Sequence, residues 1–249
     1  MIQAGLWLEV AWMSVRLACA LLLTLSAHAH AQEPEAEQTR VGYTIEPAAV
    51  SAYVWRGDRL SGEGFDPAVQ PFGELNVSRL GAGNLTTGVW SSRRLGREHG
   101  QEIDPYVSFA VDVGPVQLKP GYTVYFMPAL EPFDTMHEFS LQSIAVWSFP
   151  VRPYVTAAVD PIRTRGFYAC AGAVHTLSLA PVQVVTTFNV GTSQYSGLAY
   201  ALQDVTLSTR GQLAFGASGY YAALVAAGAW SGRASLVYPY TGMSLGYSR

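Results

Sequence analysis

Charge is scarce in this chain. Of 249 residues, 13% are Asp, Glu, Lys or Arg, about half the roughly 25% usual for soluble domains. A strongly solvated surface is hard to build from so few charges. Lysine is almost missing: Lys119 stands alone among 15 basic residues. The balance against 18 acidic residues is a net charge of -3, which leaves no basic footprint for nucleic acid. There is no triplet repeat, and 12% of the residues are aromatic, so collagen-like, coiled-coil and disordered classes are excluded. Cysteine is limited to Cys19 and Cys170. Beyond the N-terminus no stretch offers 18 consecutive apolar residues, which excludes a transmembrane helix there.

The apolar run at the N-terminus has a different meaning. Arg16 precedes Leu17 to Leu25, and Ala29-His30-Ala31 follows as a small-residue cleavage site. This is the n-region, h-region and A-x-A order of a secretory signal peptide over residues 1–31, with Met1 or Met13 as the start. An uncleaved anchor would need about 20 apolar residues, more than the run supplies. Arg16, three residues before Cys19, argues against lipoprotein processing. His28 and His30 leave with the signal. Residues 32–43 are polar and acidic and read as a periplasmic leader, so the barrel segment is expected over 44–249. The exported chain keeps one thiol, Cys170, and cannot form an intramolecular disulfide.

What is present is period two. Ile103, Pro105, Val107, Phe109, Val111 and Val113 alternate with Asp104, Tyr106, Ser108, Ala110 and Asp112. Gly114-Pro115 interrupts, and then Val116, Leu118, Pro120, Tyr122, Val124 and Phe126 alternate with Gln117, Lys119, Gly121, Thr123 and Tyr125. The spacing predicts a hairpin with Asp112 opposite Gln117 and Lys119 diagonal to Asp112, within reach of an ion pair. Both strands match the roughly 9–11 residues of a tilted membrane-crossing strand. Similar segments lie near 47–56, 68–79, 84–93, 136–147, 152–160, 166–178, 182–191, 201–209, 212–222 and 239–248, with Arg210-Gly211 as a turn. Short connections alternate with longer, more polar ones, as in barrels with periplasmic turns and extracellular loops.

The fold class is therefore all-β: a transmembrane antiparallel up-and-down β-barrel of about 12 strands, with 10–14 as the range. The range comes from 222–238, which is too apolar for an ordinary loop. Pro71, Pro105, Pro120 and Pro153 fall inside strands, where bulges or water contacts are expected. A secreted β-sandwich would alternate too, but with more charge and shorter strands.

An ordered series of motifs carries a resemblance. Tyr53-Val54-Trp55-Arg56-Gly57 leads to Pro67-Ala68-Val69-Gln70, then Gly88-Val89-Trp90-Ser91-Ser92, Glu102-Ile103-Asp104-Pro105-Tyr106, Gly121-Tyr122-Thr123-Val124-Tyr125 and His137-Glu138-Phe139-Ser140-Leu141. Over residues 44–141 the chain resembles the TorF-type porins of Gram-negative outer membranes. The resemblance implies an outer-membrane barrel that passes small solutes. One departure is the C-terminus, where Tyr247 lies two residues short of the terminal aromatic such barrels present to the assembly machinery.

No catalytic apparatus is legible. His99, His137 and His175 have no i, i+4 partner, and no Cys-x-x-Cys, G-x-S-x-G or phosphate loop occurs. The nearest local set is His137, Glu138 and Ser140, but on a strand Glu138 and Ser140 share a face and His137 points away. No metal, cofactor or catalytic residue is expected. The pore-lining candidates are Glu74, Asn76, Asp104, Asp112, Lys119, Glu138, Arg152, Asp160 and Asp204. Both signs occur among them, so ion selectivity should be weak. Trp55, Trp90, Tyr125, Phe126 and Trp147 fall near strand ends and read as a girdle where they face lipid; those facing inward, such as Trp90, read as lumen packing.

The function expected from these features is passive diffusion of small polar solutes through a narrow lumen of an outer-membrane porin. A sealed structural or binding barrel acting through its loops is the alternative, and a lipid-modifying enzyme a more distant one. The expected partners are outer-membrane lipid and lipopolysaccharide, the barrel-assembly machinery and small polar solutes, without nucleic acid. The oligomeric state is not legible.

Overall fold

A computed structural model describes residues 39–60, 65–80, 83–95, 101–127, 135–194 and 200–249. The expected signal peptide, most of the leader, and His99 lie outside the described residues. Among the described residues no helix is long and apolar enough to cross a membrane.

The strands are β1 (Arg40–Val50), β2 (Val54–Trp55), β3 (Asp58–Arg59), β4 (Ala68–Leu80), β5 (Gly83–Arg94), β6 (Gln101–Val113), β7 (Val116–Phe126), β8 (Thr135–Ala145), β9 (Val151–Asp160), β10 (Gly166–Leu179), β11 (Val182–Gln194), β12 (Ala201–Ala214), β13 (Tyr220–Ser231) and β14 (Leu236–Ser248). Twelve of them close into one antiparallel barrel, each next to its sequence neighbour, with β1 pairing both β4 and β14. β2 and β3 form a separate small hairpin. Barrel closure leaves no free edge. The start of β1, the end of β14 and the described turns 114–115, 146–150, 180–181 and 215–219 lie at one end; the described residues 51–60, 65–67, 95, 127, 161–165, 200 and 232–235 lie at the other.

Alternation sorts the side chains. Ile45, Leu75, Val155, Leu207, Leu224 and Leu245 stand outward and are exposed. Glu102, Asp104, Ser108 and Asp204 face inward and are buried. An apolar outer wall suits lipid, because a closed barrel satisfies every ladder hydrogen bond without water.

Three expectations need correction. β1 starts at Arg40 rather than 44, so the last leader residues are strand. β12 runs without a break through Arg210-Gly211, where the sequence suggested a turn: Arg210 pairs with Val225 and Gly211 with Leu224. The chain reverses at 215–219, where Gly216 and Gly219 take φ of 63° and 82°, a region open to glycine at little cost. The apolar stretch 222–238 then holds most of β13 and the start of β14. Finally, the register shifts lie at Gly191/Thr192 and Val77/Leu80, not at the strand prolines. Pairing continues through Pro71 opposite Pro47 and Pro153 opposite Ala173. The β6–β7 pairing skips Pro105 and Pro120 but keeps its register on either side. Each residue turns its N–H toward one neighbour only, so a proline removes a bond from one seam and spares the other.

A repeated device organises the inner wall. Tyr106 on β6 lies over Gly88 on β5, directly opposite, and its hydroxyl donates to Glu74 on β4 at 2.5 Å. Tyr221 on β13 lies over Gly246 on β14 and donates to Glu46 on β1 at 2.6 Å. Tyr168 on β10 lies over Gly191 on β11 and donates to Asp204 on β12 at 3.0 Å. In each case glycine leaves the gap that lets the ring lie along the wall instead of across the lumen. A Cβ at Gly88 would sit 2.5 Å from the Gly73 carbonyl oxygen and 2.7 Å from the Tyr106 hydroxyl. Gly88→Ala is therefore expected to cost about 1–3 kcal/mol as overpacking, read as a lower temperature for the loss of compact migration in a semi-native gel. An unchanged temperature would count against this packing account.

Candidate functional site

The register puts all nine sequence-derived lining candidates on the inner face, but they do not form one site. Glu74, Asn76 and Thr86 make one polar group: Asn76 donates to Glu74 at 2.8 Å and Thr86 to Asn76 at 2.8 Å. Asp160, at the loop end of β9, accepts from the backbone of Ile162, Arg163 and Thr164, each at 3.0 Å; it caps a turn. Asp112 takes its bond from Gln117 at 2.8 Å, and no ion pair joins it to Lys119, which corrects the diagonal pair expected. The directly opposite partner is nearer than the diagonal one. Arg152 stands inward between Val151 and Pro153 and is partly exposed.

The loop end of the lumen is where the structure converges. Residues 47–56 were expected as wall strand and 57–67 as an outer loop; β1 ends at Val50, and the described residues beyond it fold into the barrel. Tyr53 is 8% exposed, packs on Trp90 at 5.3 Å between ring centroids, and hydrogen-bonds Glu102. Burial, with the Glu102 charge beside it, pushes the Tyr53 phenol far above its ordinary value, so it remains a donor. The β2–β3 hairpin then crosses the bore. Trp55 meets Tyr125 edge-on at 5.7 Å, so it belongs to the lumen and not to the lipid girdle. Tyr125 is likewise buried inward, whereas Phe126 and Trp147 are exposed at 42% and 48%.

Arg56 is the centre of this plug. Its guanidinium lies 2.7 Å from Glu138 and is held between the Trp55 and Tyr168 rings, 4.4 Å and 4.1 Å from their centroids. Only about 10 Å³ of space remains around it. Arg56 takes φ of 47° and Gly57 φ of 77°, the paired left-handed geometry of a two-residue hairpin turn. On the far side Gln203 donates to the Arg56 carbonyl at 3.1 Å and to Asp58 at 2.7 Å, and Ser231 donates to Asp58 at 3.1 Å. The loop returns through Asp66, which Arg94 grips from β5. The described loop is thus tied to β5, β6, β7, β8, β10, β12 and β13.

A β-bulge makes that anchorage. Gly191 pairs with Asp204 but Thr192 with Leu202, so Gln203 is the extra residue. Gln203 and Asp204 are adjacent, and both turn inward at 1% exposure. Strict alternation would send one of them to lipid. Asp204 also accepts from Asn189 at 2.7 Å and Thr206 at 3.1 Å. Glu102 and Asp104 sit two apart on β6 at 5% and 6% exposure; Asp104 Oδ1 and Ser108 Oγ are buried without a hydrogen-bond partner.

Beyond the plug the lumen keeps a chamber of about 350 Å³, lined in part by Glu46, Gln70, Phe72, Trp90, Arg210 and Tyr240. Arg210 grips Glu46 in a two-pronged pair at 2.7 and 2.9 Å. Sequence reading missed Glu46, Arg56, Glu102 and Arg210. Arg56 was visible as part of a motif, and Glu46 as a polar position alternating with Ile45 and Pro47. Nothing catalytic is assembled around His137, which faces outward and bonds the Tyr122 hydroxyl at 2.7 Å while Glu138 faces inward. Among the described residues no group of three or more His, Cys, Asp or Glu could hold a metal ion.

These features define the class: a closed twelve-stranded barrel with a polar, partly plugged lumen, the fold of outer-membrane porins and channels. No family model matches the chain, and no curated protein matches it by sequence. Solved structures match its fold. The NanC porin aligns with a TM-score of 0.54 at 7% identity, over 82% of this chain and 98% of that one. The KdgM porin, in complex with disordered oligogalacturonate, aligns at 0.50 and 8% identity, over 83% and 97%. An outer-membrane channel from Pseudomonas putida aligns at 0.50 and 9% identity, over 88% and 98%.

Proposed function

We propose that this protein is a Gram-negative outer-membrane porin through which small polar solutes diffuse passively, and that it belongs with the TorF-type porins its motifs resemble. The observation that carries the reading is the unfilled chamber of about 350 Å³ inside a closed barrel. A barrel packed shut by its own side chains, as eight-stranded ones are, would have no such space. In this reading the short turns and both termini are periplasmic, the long loops extracellular, and the signal peptide supplies export. The apolar outer wall meets lipid and lipopolysaccharide, and Tyr247 near the end of β14 offers the assembly machinery its aromatic.

Purified protein in planar bilayers is expected to give small, stable conductance steps with a reversal potential near zero in a salt gradient, because both charge signs stand on the wall. Liposomes carrying it should swell in glucose. Silence in both assays would overturn the porin reading. The docked 51–67 loop favours a second reading, a sealed barrel that acts through its loops. That reading predicts silence in the wild type together with loss of its binding activity when the loops at 95–100 or 195–200 are deleted.

A further inference from the structure

The run Ala222-Ala223-Leu224-Val225-Ala226-Ala227-Gly228-Ala229-Trp230 is apolar at every position. Lipid contact explains only its outward half: Ala222, Leu224, Ala226 and Trp230. The inward half, Ala223, Val225, Ala227 and Ala229, belongs to the lumen. Its neighbours continue the pattern, with Ala48 and Val50 on β1, Phe72 on β4 and Gly242 on β14 facing the same way. The opposite wall is different: β6 to β12 present Glu102, Asp104, Lys119, Glu138, Arg152 and Asp204. The lumen is two-sided, and the empty chamber lies against the apolar side.

We infer that this chamber is a binding site for small solutes that join a flat apolar ring, aromatic above all, to a polar group. Apolar surface facing a water-filled bore is unfavourable, and a chamber serving only small polar solutes needs none. Phe72, Trp90 and Tyr240 give the walls ring faces and edges that favour another ring. Glu46, Arg210 and the Gln70 amide supply the polar margin that orients a solute's hydrophilic end. A volume of about 350 Å³ sits at the small end of the roughly 300–1,000 Å³ of ligand pockets, enough for one or two rings. The inference rests on the lumen being accessible as the porin reading has it, but its test separates binding from passage.

The probe is phenyl β-glucoside, with glucose as the control lacking the aryl ring. Saturation-transfer NMR on the full barrel in nanodiscs, referenced to empty nanodiscs, reads binding; liposome swelling reads passage. The aryl protons of phenyl glucoside are expected to receive saturation, with glucose receiving little. Val225→Gln should reduce the aryl signal at least threefold. Tyr240→Ala, which removes a ring without adding polarity, should do the same if Val225→Gln fails to fold. Glucose swelling without aryl saturation, or an aryl signal unchanged in a folded variant, overturns the chamber assignment and leaves the porin reading standing. Aryl saturation without swelling of either kind sustains the chamber and overturns the porin reading.

Discussion

Replacing Arg56 with alanine is expected to raise single-channel conductance several-fold, or to open a barrel that is silent in the wild type. Arg56 is the residue on which the docked hairpin depends. Its guanidinium is paired with Glu138 at 2.7 Å, with side-chain exposures of 14% and 12%. It also stacks against Trp55 and Tyr168. Removing one partner of such a buried pair leaves the other charge uncompensated, at about 3–5 kcal/mol. Applied to the docking of the loop, that is a shift of two orders of magnitude or more in the equilibrium between hairpin in and hairpin out. Of the other ties, Gln203 and Ser231 on Asp58 hold one flank of the hairpin, and Tyr53 and Asp66 hold the ends of the loop rather than its turn. Bilayer recordings of Arg56→Ala and of Arg56→Ala with Glu138→Gln make the check. If the loss acts through the stranded Glu138 charge, the double variant should return toward the wild-type conductance. Wild-type conductance in a folded Arg56→Ala barrel would show that the hairpin does not limit the bore.

Asp204→Ala should be among the most damaging single changes to stability. The carboxylate is 1% exposed and accepts from Tyr168, Asn189 and Thr206 at 3.0, 2.7 and 3.1 Å. Alanine leaves three inward donors without their acceptor, each worth about 1–3 kcal/mol when stranded. A total loss above about 3 kcal/mol is expected, since the three effects overlap. Denaturant titration in lipid, followed by tryptophan emission, would register the change. Asp204→Asn keeps one acceptor oxygen and should lose distinctly less. Equal stability of Asp204→Ala and the wild type would remove Asp204 from its place as an anchor.

Much of the wall was readable because lipid imposes a simple rule. A strand that shows every second residue to hydrocarbon must keep charge off those positions, so the 103–126 hairpin declared its register, its turn and its inward face. The same rule misled where the inner wall is apolar too. β13 hides its alternation because Val225 faces the lumen as Leu224 faces lipid, and the polar pair Arg210-Gly211 stood out falsely as a turn. Prolines looked like interruptions, yet Pro47, Pro71, Pro105, Pro120, Pro153 and Pro239 all stand on the outer face and leave the register intact.

The candidate site was legible only in part, and the limit is geometric. Period two assigns a face; it does not say which inward side chain reaches which. Glu74 meets Tyr106 across Gly88, and Glu46 meets Tyr221 across Gly246, because glycine on the strand between leaves the gap. That requires three strands in register, which no single segment encodes. Asp112 was assigned to Lys119 because charge was weighed above distance, while the neighbour across the pair was Gln117.

The sequence alone determined the class of this molecule. Charge poverty, period-two alternation and strands of ten to fourteen residues leave little but a barrel in lipid, since alternation against hydrocarbon is a local property of each strand. Only the tertiary structure decided what occupies the bore. The bulge that turns Gln203 and Asp204 inward together, the loop that carries Arg56 to Glu138 across 82 residues of chain, and the chamber left against Val225 all depend on closure. Closure brings strands distant in sequence around one axis, and the contacts made across that axis have no signature in the order of the residues.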